Sequence, residues 1–387
     1  MNTRERYLSV MTFESPGSLK WEFGYWAGAL RRWYREGLPR DKGIPDHLPE
    51  GNGVFAECAG SIIGRYTDYD VHNYLHLDPH LVRVPLEMGA YPQFEEKTIE
   101  DHGDWYIWQD PMGCWRKDFK SRASLPSFVR GPVRTREDWE KYKAERLKPV
   151  IKGRLPANWA DLIRSYKTRD YPLALGQLQG FFGTPRSLFG VEELLLKYYE
   201  DPELMLDINA YLADFWIALF EPVLREVQVD AILIWEDMCY RSGPLISPEM
   251  FRKFILPGYK KVTSFAREQG IRVINVDSDG DVWKLIPLWV EGGVTVLYPF
   301  EVASGMNVVE VRERFPKLGM MGGIDKRALI EGKAAIDREL EAKIPFMLKR
   351  GGFIPTIDHL VPPDVPFEHF KYYREKLNRM IEKQTTA

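Results

Sequence analysis

The sequence predicts an α/β protein folded as a (β/α)8 TIM barrel, with an antiparallel β excursion in its N-terminal third capping one mouth. Three observations predict it. From about residue 172 onward, short runs rich in Val, Ile and Leu alternate with longer amphipathic stretches carrying Lys, Arg and Glu, the pattern of repeated βα units. A length of 387 residues suits one barrel with insertions. No low-complexity tract, internal repeat or linker-like boundary divides the chain, so residues 1–387 read as one domain.

Two strands are expected early, LKWEF at 19–23 and YLHLD at 74–78. The stretch PQFEEKTIEDHGDWYIWQD, followed by GCWRKDFK, reads as the antiparallel excursion, turning near Met112 and Gly113. Between about 131 and 170, TREDWEKYKAERLKP and ANWADLIRSYKTRD read as polar surface helices leading back to the barrel. Six further strands follow in PLALGQ, AILIWED, IRVINVDSD, VTVLYPFE, LGMMGGID and GFIPTIDH, beginning near 172, 231, 271, 294, 318 and 352. With the early pair they make the eight that close a parallel barrel.

A net charge of −3 leaves no basic footprint for nucleic acid. The charged start MNTRER, and the lack of any apolar stretch near the roughly 18 residues of a membrane span, signal neither secretion nor insertion. The expected location is the cytoplasm. Cys58, Cys114 and Cys239 are too scattered for a disulfide framework or a CxxC metal site, so reduced structural thiols are expected. Aromatic residues are abundant, with 12 Trp. Such rings usually pack cores, yet Trp21, Tyr25 and Trp26 beside the first strand also suit a pocket for a flat or apolar ligand.

Each of the last five strands ends in acids: Glu236 and Asp237, Asp277 and Asp279, Glu301, Asp325, then Asp358 with His359. In a barrel these positions meet on one rim, where like charges repel unless they hold a metal, share protons or bind a polar ligand. Such an acid can also simply cap the next helix. Asp277 and Asp279, two apart on an extended segment, point to one side. His359 lies in IDHLVPPD, whose proline pair stiffens its loop. The candidate catalytic residues are therefore Asp277, Asp279, His359, Glu236 and Asp237. Trp21, Tyr25, Trp26, Gln177, Glu301 and Asp325 are the candidate substrate contacts. Carboxylates with one imidazole admit zinc, manganese or magnesium, but without cysteine the set is hard in character and zinc is not compelled.

Longer stretches carry a resemblance. WEDMCYRSGPLISPEMFRKFILPGYKK, VINVDSDGDVWKLIPLWVEGGVTVLYPFEV, GGIDKRAL and GGFIPTIDHLVPPDVPFEHFKYYREKL resemble the uroporphyrinogen decarboxylase superfamily. ERYLSVMTFESPGSLKW and FFGTPRSLFGVEELLLKYYEDPELM also fit. The resemblance implies a (β/α)8 barrel that either decarboxylates a porphyrinogen or performs cobalamin-dependent methyl transfer. True decarboxylases carry an arginine-rich RQAGR-like motif near the N-terminus that grips propionates; the corresponding stretch here is WEFGYWAGALRRW. A tetrapyrrole bearing many carboxylates needs cationic clamps, and an acid-lined rim is the wrong partner.

In the methyltransferase branch, thiol-methylating members bind zinc through a His-x-Cys pair and a later Cys. The corresponding positions are Asp277, Asp279 and His359, the implied ligands of zinc or another divalent metal. Without thiolates the site suits a methyl ether better than a thiol. The alkoxide or phenoxide leaving from an ether must be protonated or bound by a Lewis acid. The expected function is O-demethylation of a methoxylated aromatic, with the methyl passed to the Co(I) corrinoid (cobalamin) of a separate carrier protein. The small methyl donor and that carrier are the expected partners, and an oligomer is left open. Two alternatives stand beside it: a decarboxylase-like lyase, for which Arg31, Arg32 and Arg186 must face the pocket, and a non-catalytic ligand-binding barrel.

Overall fold

The computed structural model describes residues 1–55, 67–120 and 126–385, without the side chains of Gln177 and Thr385. Cys58 lies outside the described residues. Strands β1 (Gly24–Trp26) and β2 (Gly53–Phe55) pair antiparallel. β3 (Val82–Arg83) begins the main sheet. β4 (Lys97–Asp101), β5 (Trp105–Gln109), β6 (Trp115–Phe119) and β7 (Ser127–Arg130) form a four-stranded antiparallel sheet in that order. β8 (Leu173–Leu178) and β9 (Ala231–Trp235) return to the main sheet, and β10 (Cys239–Tyr240) with β11 (Gly243–Pro244) makes a short hairpin. β12 (Val273–Asp277), β13 (Val296–Tyr298), β14 (Gly319–Ile324) and β15 (Phe353–Ile357) complete a seven-stranded parallel sheet, ordered β15-β14-β13-β12-β9-β8-β3.

This curled sheet with helices between its strands is TIM-barrel-like. Alternation along each strand produces two cores. Ala174, Ala231, Val273, Val296, Met321 and Ile354 pack inside the curl, while neighbours such as Ile232, Ile274 and Phe353 pack outward against the helices. The helix Thr3–Met11 sets Tyr7, Val10 and Met11 into the inner core at the strand N-termini, where Gly352 N donates to the Val10 carbonyl at 2.9 Å. The opposite end is left for the loops that follow the strands.

The six C-terminal strands lie where the sequence predicts them. The two early ones differ. Residues 74–78 are not a strand: the helix Tyr69–Tyr74 ends there and His76 takes a φ of 49°, which an extended segment cannot accommodate. The chain joins the sheet a few residues later, at β3. Residues 19–23 lie along the seam between β3 and β15 without a regular ladder, because side-chain carboxylates stand in for strand carbonyls as partners of backbone N–H groups. Ile357 N donates to Glu22 Oε1 at 3.0 Å, and Lys20 N donates to Asp78 Oδ2 at 2.7 Å. Ladder pairing resumes only at the parallel bridge of Tyr25 with Val361.

The antiparallel excursion is present as β4–β7. Its turn is held by Asp110 Oδ1, which accepts from the N–H of Met112 and of Cys114, each at 2.9 Å, with Gly113 at φ 88°. The sheet docks on the helix Gly183–Phe189, where the Cys114 thiol donates to the Ser187 carbonyl at 2.9 Å. A Cβ at Gly131 would stand 1.9 Å from the Leu188 carbonyl oxygen, so only glycine permits that approach. The two polar helices are Arg136–Arg146, with a Thr135/Asp138 capping box, and Trp159–Tyr166. Cys114 and Cys239 are buried free thiols. Among the described residues no helix is long and apolar enough to cross a membrane.

Candidate active site

The acids at the strand ends do not share one fate. Glu236, after β9, is fully buried. Its carboxylate accepts from the N–H groups of Phe181 (2.9 Å), Phe182 (2.7 Å) and Gly183 (3.1 Å) and from the Tyr259 hydroxyl (2.6 Å). Both oxygens are thus occupied in holding the start of the helix Gly183–Phe189, and the residue is a structural brace in place of the catalytic acid the sequence suggests. Gly180, at φ 69°, makes room for it: a Cβ there would lie 2.3 Å from the carboxyl carbon. Asp325 is likewise drawn away from a substrate role. It caps the helix Lys326–Glu331 through Arg327 N at 2.9 Å and pairs with the Arg327 guanidinium at 2.7 Å.

The remaining rim acids are brought together. Asp237, at φ 46°, takes hydrogen bonds from Arg186 Nη1 on its carbonyl (2.7 Å) and its carboxylate (2.9 Å). Glu301 accepts from Gly280 N at 3.0 Å. Asp358 accepts from Val302 N at 2.9 Å. Lys326, which the sequence reading missed, stands between these last two, its Nζ 3.7 Å from Glu301 and 3.5 Å from Asp358. Its only sequence signal is its place directly after the acid of a strand end, in GGIDKRAL.

Asp277 and Asp279 carry the strongest electrostatic signature. Burial pushes the Asp277 carboxyl well above the usual carboxylate range, and Asp279, Asp237 and Glu301 push it the same way against the pull of Arg83. Asp279 is pushed up to about 7, first by burial, then by Glu301 and Asp237, with Lys326 opposing. Its Oδ2 lies 3.7 Å from His359 Nε2. Burial and the Lys326 charge hold His359 below its ordinary value, so its ring is neutral at pH 7. Near neutrality the pair therefore offers a carboxyl with a transferable proton beside an uncharged imidazole.

Of the three aromatic candidates, Trp26 reaches the site, its ring centroid 6.3 Å from that of His359. Trp21 lies deeper in the lumen, stacked on His80 at 4.3 Å. Tyr25 is fully buried on the other face, edge-on to Trp33 and Phe370, and does not line the opening. Gln177 has its side chain outside the described set. Beneath Asp277 the lumen holds a cavity of about 60 Å³ walled by Trp21, Phe23, Leu233, Met321 and Tyr298. Among the described residues no three of His, Cys, Asp and Glu gather around one point that could hold a metal ion. Asp277, Asp279 and His359 as placed do not fit a divalent cation, and no step is assigned to one.

The family model for uroporphyrinogen decarboxylase (URO-D) matches residues 104–380, more than two thirds of the chain. The chain belongs to the URO-D family. Among solved structures, the fold is similar to that of a methyltransferase from Methanosarcina mazei, with a TM-score of 0.56 over 100% of both chains at 14% identity. No curated protein matches the sequence. In this URO-D family protein, of the arginines expected to grip a porphyrinogen, Arg31 and Arg32 are engaged away from the rim and Arg186 is held at the rim by Asp237. Arg31 donates to the carbonyls of Pro45 and Asp46 at 3.2 and 2.7 Å. Arg32 bonds Glu36 and the carbonyls of Pro363 and Asp364. Arg186 is paired with Asp237.

Proposed function

We propose that this URO-D family protein is a methyltransferase that takes the methyl group from a methoxylated aromatic and passes it to the Co(I) corrinoid of a carrier protein. The observation that supports this reading most is Asp279, a carboxyl pushed up to about 7 and set 3.7 Å from His359 Nε2. Breaking the ether C–O bond leaves a phenoxide oxygen, and a positioned acid with a pKa near the working pH is the group that assists its departure.

A corrinoid held by the carrier would supply, from its Co(I) electron pair, the nucleophile that takes the methyl carbon as the ether C–O bond breaks. The electron pair of that bond stays on the oxygen, which takes the Asp279 proton and leaves as a phenol. Asp279 then recovers a proton from solvent, with the neutral His359 ring beside it as relay. Trp26 walls the same opening. A decarboxylase is less well served, because Arg31 and Arg32 are engaged with backbone carbonyls and Arg186 and Lys326 are already paired with rim acids.

Incubation with reduced carrier corrinoid and a panel of methoxylated aromatics tests the reading. Methyl-cobalt absorbance should rise with stoichiometric release of the matching phenol. Absence of both across the panel would remove O-demethylation.

A further inference from the structure

The lumen cavity has a chemistry of its own. Its walls are mostly apolar and aromatic, with Trp21, Phe23, Leu233 and Met321 turned into it. Polar or ionisable side chains, His80, Arg83, Asn275, Asp277 and Tyr298 among them, break that surface. Among the described residues the buried Tyr298 hydroxyl has no hydrogen-bond partner, and neither has the Asn275 Oδ1. The amide's other end reaches only the Met321 sulfur, at 3.7 Å. Buried polar atoms are almost always satisfied, and an unmade hydrogen bond is costly, so a pair of unsatisfied atoms facing one cavity marks a place built for a ligand or ordered water.

Size and polarity restrict what fits. At roughly 10–15 Å³ per water, a cavity of about 60 Å³ holds about four to six waters. A benzene-sized ring, which fills roughly 150 Å³ at about 30 Å³ per water, displaces about five. The polar pair asks for a group that accepts from the tyrosine hydroxyl and donates to the amide oxygen. A hydroxyl does both, whereas a carboxylate has no proton to donate to the amide oxygen and would meet the Asp277 carboxyl, which already faces the Arg83 guanidinium of the same wall.

We infer that the lumen cavity is a binding chamber for a small hydroxylated aromatic ring, a phenol in chemical class, held between the Tyr298 hydroxyl and the Asn275 amide. Asp277 forms its upper margin, directly below the rim. As the place of the donor's ring the chamber rests on the demethylation reading, and it narrows the donor to a methoxyphenol.

Isothermal titration of the full chain with phenol, 2-methoxyphenol, benzene and benzoate tests it. Phenol and 2-methoxyphenol should bind, with benzene and benzoate at least tenfold weaker. Tyr298→Phe should weaken phenol at least tenfold and leave benzene unchanged. Leu233→Trp, which fills the cavity, should remove binding of all four. Should Leu233→Trp fail to fold, Tyr298→Phe, which removes one oxygen, carries the test alone. Equal affinity for benzene and phenol, preference for benzoate, no binding to the wild type, or an unaffected Tyr298→Phe overturns the chamber. Phenol has no methyl group to give, so phenol binding without methyl-cobalt from methoxyphenols refutes the demethylation reading alone. Methyl transfer from a protein that does not bind phenol refutes the chamber alone.

Discussion

Asp277 and Asp279 are pushed upward by the same main cause, burial, with Asp237 and Glu301 adding to both, yet only Asp279 lies beside His359. That neighbour is why the acid role goes to Asp279. Replacing Asp279 with Asn removes the proton donor while keeping the shape, and general acid assistance contributes about 10²–10⁴ in rate. Methyl transfer should fall at least tenfold with an unchanged circular dichroism spectrum, and His359→Ala should fall similarly. The folded value of about 7 lies above an unfolded value of roughly 3.9, so the native state holds the proton more tightly. Its stabilising effect is complete below pH 4 and is lost as pH rises towards and through 7. Thermal melts across that window should show a steeper decline for the wild type than for Asp279→Asn; parallel curves would place the titration elsewhere. Sequence order alone marks Asp279 and Asp325 equally, as acids after a strand. What separates them is partner choice, with Arg327 two residues downstream capturing Asp325 and no cation pairing Asp279 in the same way.

At the level of elements, the seam between β3 and β15 depends on a buried side chain. Glu22 takes the Ile357 N–H on one oxygen, and its other oxygen accepts from the Tyr373 hydroxyl at 3.2 Å and from Arg374 Nη1 at 3.4 Å. Glu22 and Arg374 are both fully buried. Glu22→Ala leaves a buried guanidinium without its carboxylate, a loss of about 3–5 kcal/mol, which urea unfolding measures. A change below about 1 kcal/mol would show that the seam closes without it. Glu236 braces a second element, and Glu236→Ala strands three buried N–H groups, so it should destabilise the fold before it touches the chemistry. Short apolar runs place β8, β9, β12, β13, β14 and β15 well because those strands of the parallel sheet are largely buried on both faces. The seam was not legible, since a ladder completed by carboxylate side chains leaves no periodic trace. Neither was the end of the helix Tyr69–Tyr74, where the turn at His76 interrupts a run that reads as extended.

Across the whole molecule, one curled sheet separates two packing problems. Its outer face holds the helices, and its inner face is graded from Val and Ala at the strand N-termini to Asp277, Tyr298 and the rim acids at the other end. That grading lets a stable barrel carry unfavourably clustered carboxylates, because the hydrophobic ends hold the fold while the loops hold the charge. The family and the fold were legible from long motifs in the C-terminal two thirds. The convergence of Asp237, Asp279, Glu301, Lys326 and His359 was legible only in part, because it depends on which loop each neighbour returns to the rim. The most direct test is the pH dependence of single-turnover methyl-cobalt formation from a methoxyphenol, comparing wild type with Asp279→Asn. The wild-type rate should fall as pH rises through about 7 while the variant stays slow and flat; equal rates and equal profiles would contradict the assignment.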